Sequence, residues 1–119
     1  MESYIKKSLE EWKEEVSELL GEIDKEYQKV KQELKLYTYK YGITKQVIQS
    51  TLNDELIETI REQYHKPFEE KYHDLMGEIK DLEEKRKVFQ MFVTKIDEVS
   101  RKEDSKQSPY IPNVLQTSG

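Results

Sequence analysis

The chain has 119 residues, 38% of them charged against 34% apolar, and a formal net charge of −5. That length holds one domain at most and leaves too little apolar surface for a large solvent-free core. The absence of cysteine excludes disulfides, thiolate metal sites and a cysteine nucleophile, and the acidic balance argues against general affinity for nucleic acid or anionic membranes.

The first element is an amphipathic helix expected over residues 3–41. Ile5, Leu9, Trp12, Val16, Leu19, Ile23, Tyr27, Val30, Leu34, Tyr37 and Tyr41 recur every three or four residues, which sets them on one stripe. A strict heptad would bring Glu26 and Glu33 into that stripe; Tyr27 and Leu34 take over instead, a shift of register. Gly42 reads as a C-cap, because glycine accepts the left-handed conformation in which helices often end.

Thr44 then caps a second helix through Ile48, Leu52, Leu56, Ile60 and Tyr64, with Asn53 and Asp54 as its interruption. Pro67 marks the next boundary, since a residue without an N–H belongs in a first helical turn. The third helix is expected from Pro67 to Lys102, with Phe68, Tyr72, Leu75, Ile79, Leu82, Phe89, Val93 and Ile96 in its stripe and Arg86 interrupting it. Its steps average the left-handed coiled-coil period. Val88 and Phe92 widen the apolar face and point to a second contact surface there.

Charge falls into blocks. Residues 10–26 hold eight acids and two lysines, net −6, and residues 27–52 hold five lysines and one acid, net +4. Residues 53–84 hold eleven acids and four bases, net −7, and residues 85–106 hold seven bases and four acids, net +3. Folding the third helix back on the first sets acid against base, so the pattern selects an antiparallel pairing. The expected fold is all-α: a long, coiled-coil-like antiparallel helical hairpin over residues 1–104, with an extra helix at its bend. Residues 105–119 form an extended C-terminal tail. A two-helix hairpin buries little, so self-association, with a dimer favoured, or a partner is expected to complete it.

The segment LKLYTYKYGITKQVIQSTLN, residues 34–53, resembles a helix-turn-helix DNA-binding unit: an apolar helix, Gly42 in the turn, Ile43 after it and a helix carrying Ile48. The resemblance implies Thr44, Lys45, Gln46 and Gln49 facing DNA in the major groove, with Lys40 beside them. The alternative for the same residues is an ordinary interhelical turn followed by a capped helix.

Glu62 with His65 and Glu70 with His73 each spell Glu-x-x-His, the ligand pair of di-iron helical bundles. Pro67 separates the two pairs, and the simpler reading is surface histidines beside glutamates, with no metal and no cofactor. There is no glycine-rich phosphate loop, no Gly-x-Ser-x-Gly elbow and no nucleophile–base set, so the chain is not expected to be an enzyme. The expected role is a protein–protein interaction module, whether adaptor, inhibitor or assembly chaperone, with a DNA-binding regulator as the alternative. Partner contacts are expected at Trp12, Val88 and Phe92 and in the tail at Tyr110, Ile111, Val114 and Leu115. No stretch is apolar enough for a signal peptide or a membrane span, so the expected location is the cytoplasm.

Overall fold

The computed structural model describes residues 2–105, all of them helical apart from one short turn. The order is α1 (Glu2–Gln49), α2 (Asp54–Ile60), a π-helical turn (Arg61–His65) and α3 (Lys66–Ser105). The long helices run antiparallel, as the charge blocks require, and α2 is the extra helix at the bend. Residues 106–119, with the tail contacts expected at Tyr110, Ile111, Val114 and Leu115, lie outside the described residues.

The bend lies later than Gly42. α1 passes through Gly42, whose φ is not positive, and ends at Gln49. Ser50 and Thr51 close the last turn: Ser50 N–H donates to the Gln46 carbonyl at 3.1 Å, and Thr51 Oγ1 donates to the Val47 carbonyl at 2.6 Å. Those bonds satisfy carbonyls that a helix end leaves open. Asn53 starts α2 as an N-cap, its Oδ1 accepting from Leu56 N–H at 3.0 Å, while Asp54 and Glu55 favour the first turn electrostatically.

Pro67 falls in the first turn of α3, one residue after its start and where the third helix is expected to begin, although no loop precedes it. Its ring excludes a normal α-helical bond to the carbonyl four residues back. The chain widens to a π turn just before it, in which Lys66 N–H reaches the Arg61 carbonyl, five residues back. The backbone stays in the right-handed helical region through both junctions.

The molecule divides into two compact units. In the first, α1 up to Glu22 packs with α3 from Lys85 onward. Val16 and Ile96 form its buried seam, Phe89 and Val93 are partly covered beside them, and Lys13 Nζ meets Asp97 Oδ1 at 2.6 Å. Ser100 is buried in the same seam, its Oγ without a hydrogen-bond partner among the described residues.

The second unit spans Ile23–Glu84. Ile23, Tyr27, Val30 and Leu75 are its buried apolar residues, and Val30 and Leu75 are the most completely enclosed side chains. Tyr27 donates to Glu83 Oε2 and Tyr41 to Glu69 Oε2, each at 3.2 Å. Within both units the α3 stripe from Phe68 to Ile96 is buried or partly covered at every expected position, Arg86 included.

Candidate partner-binding surfaces

In the first unit, Trp12 belongs to the α1 stripe by spacing but leans off the seam. It is 45% exposed and meets Phe92, 40% exposed, edge to face with ring centroids 6.0 Å apart. Phe92 in turn meets Phe89 at 5.9 Å and 74°, so a seam aromatic fixes the ring that stands outside. Leu9, Val88, Met91 and Val99 join Trp12 and Phe92 around an apolar groove of about 440 Å³. Lys95 stands on its rim and Ile96 forms its floor. The three helical residues expected to meet a partner, Trp12, Val88 and Phe92, thus lie together in one groove. Leu9, expected in the seam, also lines the groove, and Met91 and Val99, which follow Val88 at helical spacing, were not expected there.

Lys13 is turned about 100° from Trp12 around the helix. Its hydrogen bond to Asp97 holds its pKa above the ordinary 10.5, against an opposing effect of desolvation and with help from the Asp97 and Glu10 charges. One edge of the seam is therefore closed by an ion pair, while the groove lies along the other.

In the second unit, rings collect near the bend. Tyr41 stacks on Tyr72 with centroids 5.5 Å apart and on His65 at 5.0 Å, both at 24°. Tyr37 meets Phe68 edge to face at 6.0 Å. Glu69 pushes the Tyr41 phenol above its ordinary 10.0, first by its charge, then with help from burial and from the hydrogen bond. Thr44 Oγ1 donates to the Tyr41 carbonyl at 3.0 Å and lies 2.8 Å from His65 Nδ1. A hydroxyl has one proton, so donation to Tyr41 leaves Thr44 as acceptor for a protonated Nδ1.

These contacts correct two expectations. The helix-turn-helix unit has no turn, because residues 34–49 are one uninterrupted helix. Thr44 is not a helix cap but lies inside α1, partly covered in the seam. Lys40 sits over rings, its Nζ 4.7 Å from the Tyr37 centroid and 5.3 Å from that of Phe68. Lys45, Gln46 and Gln49 remain exposed on the last turns of α1. His65 is no loose surface histidine, since Tyr41 and Thr44 hold it. His73 packs its ring against Tyr72. Among the described residues no group of three or more His, Asp or Glu is placed to hold a metal ion.

A further apolar stripe was legible but passed over. Leu36, Tyr39, Ile43 and Val47 follow at helical spacing on a face of α1 turned away from Tyr37 and Tyr41, and all four are exposed. The same segment, residues 34–53, holds three lysines and no acid. Tyr39, which had no role in the seam stripe, belongs here.

No family model, curated protein or solved structure matches the chain. Among the described residues, no helix is long and apolar enough to cross a membrane.

Proposed function

We propose that this protein is a non-catalytic interaction module, an adaptor, inhibitor or assembly chaperone that binds other protein through its helix faces. The observation that carries the reading is the groove of the first unit, where Trp12 and Phe92 stand half-exposed in an apolar cleft. Tryptophan and its aromatic neighbours are the side chains that most often dominate binding energy when a partner desolvates them. Exposed single apolar residues need no explanation, but several that converge on one cleft do. The outer stripe of α1 adds a second apolar face that the hairpin does not use.

The test is affinity capture from nuclease-treated native-host lysate with the full chain and a Trp12→Ala/Phe92→Ala variant, helicity being compared by circular dichroism. The expected result is one stoichiometric protein partner held by the parent and lost by the variant at equal helicity. Capture that ignores the two substitutions, or recovery of nucleic acid alone when nuclease is omitted, overturns the reading.

A further inference from the structure

We infer that the groove of the first unit closes on a second copy of this chain, in a parallel two-fold arrangement that lays α1 of each copy on α3 of the other. The inference rests on the interaction-module reading for the groove being a docking surface, and goes beyond it in naming the occupant.

A two-fold interface brings one surface patch against itself, so the patch must be self-complementary. The apolar floor meets that condition trivially. The flanks meet it by charge. On α1, Trp12, Glu15 and Leu19 succeed one another at three and four residues, so Glu15 shares the groove face with two half-exposed apolar side chains. Glu22 follows on the same side. On α3, Lys95 lines the groove and Lys87 is exposed one turn before Met91. One flank is acidic; the other carries Lys87 and Lys95, with Glu98 beside Lys95.

Register then selects the symmetry. The Lys13–Asp97 ion pair sets those two residues level across the hairpin. Two residues further along α1 and two back along α3, Glu15 is level with Lys95, and by the same stepping Glu22 comes within one residue of Lys87. A two-fold axis parallel to the helices preserves height and sets α1 of each copy opposite α3 of the other. It therefore sets Glu15 of each copy against Lys95 of the other, and Glu22 against Lys87, on both sides of the apolar strip. An axis across the helices would instead stack α1 on α1, acid against acid, which repels. Lys95 already touches Glu98 at 3.5 Å, but that contact is exposed and loose, and exchanging it costs little.

Sedimentation equilibrium on the full chain tests this, with Glu15→Lys and Lys95→Glu made separately. The parent is expected to sediment as a dimer. Each variant alone should dissociate about tenfold or more readily, as like charges then face each other. An equimolar mixture of the two should recover the parent's affinity, because in the mixed dimer both charge pairs are restored. Rescue in trans is a readout that a contact within one chain cannot produce. A monomer at every concentration overturns the proposal, as does a dimer indifferent to both substitutions or a mixture without rescue. Cross-linking of the tail apolar residues to a monomeric groove overturns it in favour of self-occlusion. A monomer whose partner capture still needs Trp12 removes this dimer but leaves the module reading standing. A rescued dimer that captures nothing does the reverse.

Discussion

Four contacts of the second unit converge on Tyr41: two stacked rings, a carboxylate on its hydroxyl and Thr44 on its carbonyl. The Glu69 charge disfavours phenolate in the folded state, so the folded pKa lies above the unfolded 10.0. A group raised in this way contributes its stability fully below the unfolded value and loses it as pH climbs through the folded one. Lys13, raised above 10.5 by Asp97, has the same sign, so both contacts fail together in alkali. Glu69→Gln removes the charge and keeps an acceptor. The near-ultraviolet phenolate titration of that variant should therefore reach completion at lower pH than the parent's, one tyrosine of the eight being displaced. Superimposable titrations would show that Glu69 does not govern Tyr41.

At the scale of elements, the stripes were readable because the seam positions recur every three or four residues. Pro67 marked the start of α3 to within one residue, but the end of α1 was not readable, because Gly42 is a stop signal only when nothing beyond it packs. Tyr41, Thr44 and His65 lock together across the hairpin beside Gly42, and that tertiary packing offsets the glycine's local preference. At Pro67 a widened turn removes the clash without ending the helix. Ser50 to Asn53, which carry no glycine or proline, supply the turn through side-chain bonds instead. This assignment makes a signed prediction at Gly42. A methyl there meets nothing within 4 Å, and the φ is not positive. Gly42→Ala should thus stabilise the protein by about 1 kcal/mol, the usual gain inside a helix. A glycine in a left-handed cap would respond with the opposite sign. Urea unfolding of the two proteins, compared at a shared slope, reads the difference.

For the molecule as a whole, the buried apolar set among the described residues is short: Val16, Ile23, Tyr27, Val30, Leu75 and Ile96. The groove was partly legible, since Val88 and Phe92 visibly widen the α3 stripe. On the opposite wall Trp12 was expected to meet a partner, but periodicity alone could not say that it leans out while Val16, four residues on, goes in. Small domains with such thin seams commonly obtain the rest of their stability by association. Anything that binds only the folded state raises apparent stability with concentration. The melting temperature of the parent should therefore climb over a dilution series, while that of Trp12→Ala should start lower and stay flat. The outer stripe offers an internal comparison: Ile43→Ala alters an exposed side chain outside the groove, so it should keep the parent's concentration dependence. If Ile43→Ala flattens the series and Trp12→Ala does not, the associating face is the outer stripe of the second unit rather than the groove of the first. A parent whose melting temperature ignores dilution would mean that the seam alone holds the hairpin together, and that its exposed aromatic residues await a different protein.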